Sequence, residues 1–600
     1  MERAPGGMCR LRALTGFPPD APPRAFGQAA SPAASIMSGG GVEPPHAMGE
    51  SALEYDFDWL VIGSGFGGSV SALRLTEKGH SVGVLECGRR FSDAELPSST
   101  RDLRRYFYNP MLGMKGIFRL TTFRDVAVVS GCGVGGGSLG YANTLYVPPR
   151  AFFEDRQWAD LEDWERALAP HYEEARRMLG VVENPHEDHA DQLLRELGEE
   201  LGVGSSYNKT PVGVFFGAPG ETVPDPYFGG EGPDRTGCRL CGRCMVGCPH
   251  GAKNTLVKNY LYFAERGGAA VMPERTVIDV RPLGDGSGAD GYEVESIRSG
   301  AWLRRERQVH RTRGVIVAAG ALGTNRLLQR CRLSGSLARI SPRLGELVRT
   351  NSESILTVTV PEDYPHSLTK RVAISSSIYP DPHTHIETVT YGDAGDSIHR
   401  LYTLMVGDGT RLTRPLKLLG QIARHPLRFL KVLFPKHWSR RTIIILVMQT
   451  LDNAIALRPR RGPFGLLWLR TEQDPDRPNP TFIPIANKAA AWFAARTGGI
   501  AQSALTEALF NIPTTAHILG GAVIAAGPDG GVVDARQRVF GYENLLVCDG
   551  AAIPANVGVN PSLTITALAE HAMSHVPAAI EDAARGVSEG AAAPAAPAAT

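Results

Sequence analysis

The chain has 600 residues, and its 63 Lys and Arg against 62 Asp and Glu leave a net charge of +1, so no overall field gathers nucleic acid and no nucleic-acid partner is expected. Its 68 glycines favour a fold of tight turns and close backbone approaches over a coiled coil or a helical array. No apolar run reaches the roughly 18 residues that cross a bilayer, the closest being Thr442 to Val447.

In chain order, the first 50 residues contain 25 Gly, Pro or Ala and no apolar period, so they read as a disordered extension. They lack the apolar core and small-residue cleavage site of a secretory leader, and a cytoplasmic location is expected. Folding begins with a buried strand, Phe57 to Ile62, then Gly63-Ser-Gly65-Phe66-Gly67-Gly68 and a helix through Leu75. A second strand, Ser81 to Leu85, ends on Glu86. This is the βαβ dinucleotide fingerprint with its context intact. Gly63 makes the turn, Gly65 lets backbone N–H groups approach a pyrophosphate, Gly68 packs helix on strand, and Glu86 accepts from a ribose hydroxyl.

A second glycine-rich run, Gly131 to Ser138, follows a strand at Val126 to Val129, and Val315 to Gly323 is another buried strand running into a glycine turn and a helix. Leu545 to Gly550 is one more strand, stopping at Asp549 and Gly550. Four strand-to-glycine junctions spread from 63 to 550 imply one nucleotide-binding sheet built from distant segments, with the intervening stretches forming a second domain.

Two segments stand apart from that plan. Cys238-x2-Cys241-x2-Cys244-x3-Cys248-Pro249 has the spacing of a bacterial ferredoxin run, but no second run accompanies it. Three readings stay open: a [4Fe-4S] cluster, a zinc knuckle, or unliganded structural thiols. The stretch from Arg411 to Arg441 carries nine Lys or Arg and no acid. Its leucines and phenylalanines cluster, and Pro415 and Pro426 are expected to divide it into short helices. Such a segment suits a peripheral membrane interface; the alternative is a helix pair with solvated cations. The Ala/Pro-rich stretch 579–600 reads as a loose tail.

From about residue 55 to 577 the chain resembles the glucose-methanol-choline flavoprotein oxidoreductases, most of all their sterol-oxidising members. The resemblance rests on the opening fingerprint with Glu86, on Gly133-Val-Gly-Gly-Gly-Ser-Leu139, and on the closing block from His517-Ile-Leu-Gly-Gly521 to Val557-Gly-Val-Asn-Pro561. It implies an α/β fold: a Rossmann-like FAD-binding domain from 51–150, 236–345 and 510–578, and a second α+β substrate-binding domain built on a β-sheet from 151–235 and 346–509. It also implies FAD, with the pyrophosphate on Gly63, Gly65, Phe66, Gly67 and Gly68, the ribose on Glu86 and an adenine contact from Val277. Isoalloxazine contacts are implied near Gly137, Ala142, Asn143, Asp549 and Gly550.

Taking a hydride from an alcohol carbon requires the hydroxyl proton to leave as charge builds on oxygen, so a base or strong acceptor is needed. His517, in a glycine-rich turn unsuited to a core histidine, and Asn560, held extended before Pro561, are the expected pair. The resemblance further implies a Glu that moves the sterol double bond; the nearest counterpart is Glu387, the alternative being a surface carboxylate on a strand. The expected activity is oxidation of a 3β-hydroxysterol to the 3-ketosteroid, with isomerisation of the 5-ene to the 4-en-3-one and with O2 or another acceptor. The alternatives are a dehydrogenase of another bulky alcohol or sugar that passes electrons through the cysteines, and a non-catalytic sterol or flavin binder.

Overall fold

The computed structural model describes residues 54–301, 304–462 and 467–579. The expected N-terminal extension and residues 580–600 of the expected tail lie outside the described residues; Ala579 still donates its N–H to Lys78 O at 3.0 Å.

Leu60, Val61, Val84, Val315, Ile316, Val317, Leu545 and Val547 are fully buried, the pattern of parallel strands covered on both faces. They belong to a seven-stranded sheet ordered Ala270–Met272, Val82–Leu85, Phe57–Ile62, Gln308–Val317, Tyr292–Arg298, Arg275–Pro282, with Leu545–Val547 also paired to Gln308–Val317. The first four and Leu545–Val547 run parallel, and the Tyr292–Arg298 and Arg275–Pro282 pairings are antiparallel. The helix Phe66–Glu77 packs on Ser562–Ser574, which in turn packs on Trp164–Met178. Arg74 clamps the three, bonding Glu570 at 2.7 Å and Glu174 at 2.5 Å.

A second seven-stranded sheet is antiparallel throughout, in the order Tyr402–Leu404, Ile500–Ala504, Ser354–Thr359, Thr442–Gln449, Thr384–Val389, Ile374–Asp381, Asn208–Lys209. Side chains alternate across it. Leu356, Val358, Ile443, Ile445 and Val447 lie in a core shared with the helices His189–Glu200 and Pro484–Thr497. The opposite face carries Ile374, Val389, Ile444, Leu446 and Met448, packed in one cluster with Ala142. Glu387 is directly opposite Leu446, and Leu446 is opposite Ile355, so Glu387 shares this second face.

A three-stranded sheet joins Thr514–Thr515 in parallel to Ala127–Gly131, which pairs with Phe118–Thr122. It brings the segment leading to His517 beside the strand leading to the second glycine-rich run. The basic segment forms the helices Thr413–Arg424 and Pro426–Leu433. Pro415, expected to divide it, lies inside the first helix, because a proline in the first turn sacrifices no intrahelical hydrogen bond. Only Pro426 makes a break.

Candidate active site

The first glycine run is built by contact. A Cβ on Gly67 would lie 1.6 Å from Cys548 O, and one on Gly68 would lie 2.0 Å from Gly63 O, so helix and strands touch backbone to backbone. Gly65 differs: nothing stands within 4 Å of its Cβ position. It is the N-cap of Phe66–Glu77, with no side-chain cap and no acid in the first turn, so the helix's free N–H groups meet open space suited to a pyrophosphate. Glu86 is buried next to this opening; its Oε2 accepts from Ser64 N at 3.1 Å and Ser64 Oγ at 2.7 Å, and its Oε1 accepts from Gly88 N at 2.7 Å. Arg275 N donates to Glu86 O at 2.8 Å, bringing the strand that carries Val277 to this end of the cradle. These residues fit FAD. Gly65→Ala is expected to fold normally and to lose about 1–3 kcal/mol of FAD affinity, since its methyl would keep a phosphate from the N–H groups. Gly67→Ala should fail to fold. Flavin fluorescence titration and thermal melting of both variants separate the two effects.

The second run closes over the first: a Cβ on Gly136 would lie 2.6 Å from Gly65 Cα, and one on Gly137 3.7 Å from the Phe66 ring. The chain then passes Ala142 to Asn143, which sits at φ 72 with both amide atoms buried and without protein partners. Asp549 is committed internally. Its carboxylate accepts from Gly320 N at 2.8 Å, Thr324 Oγ1 at 2.6 Å and Ala551 N at 2.7 Å, while burial raises its pKa to about 6. Gly550 O accepts from Gly520 N at 2.8 Å, tying the end of Leu545–Val547 to the turn after His517.

His517 Nδ1 bonds Glu353 Oε1, and Glu353 Oε2 also accepts from Ala516 N at 2.8 Å. Glu353 is fully buried at its side chain, whereas His517 remains 14% exposed, and among the described residues Nε2 has no protein hydrogen bond. A carboxylate on Nδ1 holds the proton there and leaves Nε2 as the acceptor. Asn560 Nδ2 stands 3.4 Å from Glu387 Oε2. Glu387 Oε1 and Asn560 Oδ1 are buried without partners. Burial raises the Glu387 pKa to about 8; the Asn560 hydrogen bond opposes that rise, and the Glu353 charge adds to it. The Glu353 charge reaches Glu387, so the two pairs are neighbours. Asn351 secures the loop before Asn560, donating from Nδ2 to Val559 O at 3.0 Å and accepting from Gly558 N at 2.7 Å.

Glu353 had no signal in the sequence. It lies 164 residues from His517 and just before an ordinary apolar strand, and only the antiparallel register that faces Ile355 toward Leu446 turns it inward. Glu387 is fully buried, which removes the surface-carboxylate alternative.

The structure gathers the cysteine run at one cavity. Cys238, Cys241, Cys244 and Cys248 line one cavity of about 10 Å³, with Asn143 and Lys253 also on its wall, room for about one water. Among the described residues, no three His, Cys, Asp or Glu side chains stand where they could hold a metal ion. Burial pushes Cys238 and Cys244 up to about 12 and raises Cys241 too. Lys253 gives the segment a structural part: its Nζ donates to Leu139 O at 3.0 Å, Tyr141 O at 2.8 Å and Cys244 O at 3.0 Å. It thereby bolts the cysteine turn onto the loop that leads to Asn143.

The GMC oxidoreductase family profiles match residues 232–346 and 470–569. The chain is 52% identical over 534 residues to a cholesterol oxidase of Mycobacterium tuberculosis (strain CDC 1551 / Oshkosh), covering 87% of this chain and 91% of that one. It is 48% identical over 533 residues to a cholesterol oxidase of Acinetobacter baumannii, covering 87% and 95%. Among solved structures, pyridoxine 4-oxidase from Mesorbium loti superposes with a TM-score of 0.54 at 15% identity, over 86% of this chain and 98% of that one, a likeness of fold. With the cradle, the His517–Glu353 and Asn560–Glu387 pairs and these relatives together, the chain belongs to the GMC oxidoreductase family and is an FAD-dependent oxidoreductase acting on an alcohol.

Proposed function

We propose that this protein oxidises the 3β-hydroxyl of a sterol to the ketone, with O2 as the final electron acceptor, and that it then shifts the 5-ene to the 4-en-3-one. The observation that carries the reading is the neighbouring pairs His517–Glu353 and Asn560–Glu387 in a chain 52% identical to a cholesterol oxidase. FAD, when bound, accepts the hydride. His517 Nε2 takes the hydroxyl proton while Glu353 holds Nδ1. Asn560 presents an amide to the developing oxyanion, and Glu387, in a site from which water is excluded, moves the proton between C4 and C6. The roles assigned to these residues are part of the proposal. The test is anaerobic mixing with a panel of sterols, sugars and short alcohols, followed by O2 and mass analysis of the product. Reaction with sugars but not with sterols would reverse the reading.

The same proposal includes docking of the basic helix pair on an anionic membrane. Leu412 is 80% exposed, Leu427 and Phe434 are 74%, and Leu416, Leu419, Leu430 and Leu433 are also exposed. Arg424, Arg428 and Lys431 lie on the same two helices. Arg414 is not one of the surface cations: it is buried, and its guanidinium donates to Thr481 O and Asn511 Oδ1 at 2.9 Å. Leu418 and Val432 turn inward onto Leu404 at the edge of the second sheet, so the pair covers the sheet that carries Glu387. Among the described residues no helix is long and apolar enough to cross a membrane. Binding to anionic vesicles is expected to weaken with salt, each basic residue near the surface contributing about 1 kcal/mol. Replacing Arg424, Arg428 and Lys431 with Gln should reduce activity on vesicle sterol and spare activity on detergent-dispersed sterol. Wild-type protein that stays off anionic vesicles at low salt would return the helices to a structural role.

A further inference from the structure

Cys87 follows Glu86 at the end of Val82–Leu85, and Cys132 lies in the glycine-rich turn after Ala127–Gly131. Their segments touch because both are flanked by glycine. A Cβ on Gly88 would lie 2.2 Å from Gly133 N and 3.2 Å from the Cys132 carbonyl carbon. The two sulfurs lie close enough to influence one another's ionisation. Cys87 is partly exposed and Cys132 buried.

Their surroundings are asymmetric. Cys87 Sγ donates to Glu86 Oε1 at 3.4 Å, an oxygen that also accepts from Gly88 N. Arg119 Nη2 stands 3.8 Å from Cys87 Sγ, with its guanidinium over the Tyr108 ring at 4.9 Å. Among the described residues Arg119 forms no ion pair with a carboxylate, so its charge is left to the sulfurs. Cys87 and then the Arg119 charge lower the pKa of Cys132, while Cys132, burial and Glu86 raise that of Cys87. The pair shares its ionisation, and a thiolate formed on it stands beside the Arg119 charge.

We infer that Cys87 and Cys132 form a peroxide-sensitive dithiol at the ribose end of the FAD site, which closes to a disulfide and loosens the cofactor. The thiolate of the pair attacks one oxygen of hydrogen peroxide; the O–O bond breaks, hydroxide leaves and takes up a proton, and a sulfenic acid forms. The second sulfur then attacks the sulfenic sulfur; the S–O bond breaks, the S–S bond forms, and a second water departs with the second thiol's proton. Two thiols and one peroxide give one disulfide and two waters. The S–S bond, about 2.0 Å, draws the two segments together. It also removes the Cys87 donor from Glu86. Both segments line the cradle, since one carries Glu86 and the other continues into Gly136 and Gly137. The inference rests on the proposed function only for the source of peroxide, the two-electron product of O2, and the experiment supplies peroxide from outside.

The holoenzyme would be treated with a few equivalents of hydrogen peroxide, alkylated, and digested without reductant. The expected result is a linked peptide pair joining Cys87 to Cys132, lighter than the sum by two hydrogens and cleaved by dithiothreitol. Free FAD fluorescence should rise severalfold in parallel and fall again on reduction. Cys87→Ser and Cys132→Ser should each give no linked pair and should keep FAD in the presence of peroxide. Both thiols still alkylating after peroxide, or Cys87 alone reaching the sulfinic acid, would overturn the dithiol. A linked pair with FAD retention unchanged would overturn the loosening. The wild-type measurements decide the matter even if a serine variant fails to fold.

Discussion

His517→Ala is expected to slow anaerobic flavin bleaching by sterol about 10²- to 10⁴-fold, the usual loss when a positioned base is removed. FAD should remain bound, because His517 lies outside the first glycine cradle and its only described side-chain bond is to Glu353. Glu353→Ala should lower the same rate with little change in KM, since the carboxylate touches only Nδ1 and the Ala516 N–H. Glu353→Gln keeps an acceptor for Nδ1–H and should recover part of the loss. Stopped-flow reduction separates these outcomes. A normal bleaching rate in His517→Ala would assign the proton to another acceptor and leave the Glu353 pair as a brace.

Glu387→Gln is expected to leave the oxidation within a few-fold of wild type and to make the 5-en-3-one the accumulating product, because only the shift of the double bond needs a second base. The pH dependence gives an independent check. With its pKa raised to about 8 by burial, Glu387 is largely protonated at pH 6, so the wild-type isomerisation should climb about tenfold per pH unit and level off above pH 8. The same shift has a stability consequence. Between the ordinary carboxyl value of 4.5 and about 8, the folded protein holds a proton that the unfolded chain has lost. Stability therefore falls as pH rises through that window, and Glu387→Gln should flatten the slope. Product analysis by chromatography and thermal melts from pH 5 to 9 test both statements. Wild-type yields of the 4-en-3-one from the variant would place the base elsewhere.

The elements that local sequence determined are those whose physics is local. The buried strand Phe57–Ile62, the turn at Gly63 to Gly68 and the helix beginning at Phe66 follow from an apolar run, glycines at fixed offsets and helical periodicity, and the structure has them at these positions. His517 was singled out by its glycine-rich turn and Asn560 by the proline after it, whereas Glu387 came only from the family resemblance. Tertiary structure alone decided the rest. Glu353 meets His517 only through the register of one antiparallel sheet and the pairing of Thr514–Thr515 with Ala127–Gly131. The cysteine spacing fixes order along the chain and not where the sulfurs meet, and the fold gathers all four at one cavity beside Lys253. Arg414 counted as a surface cation until the fold surrounded it with carbonyl oxygens. Cys87 and Cys132 come together because Gly88 and Gly133 let two backbones touch. A sequence carries the reach of each side chain to its near neighbours, and long-range contact depends on which surfaces the whole chain buries.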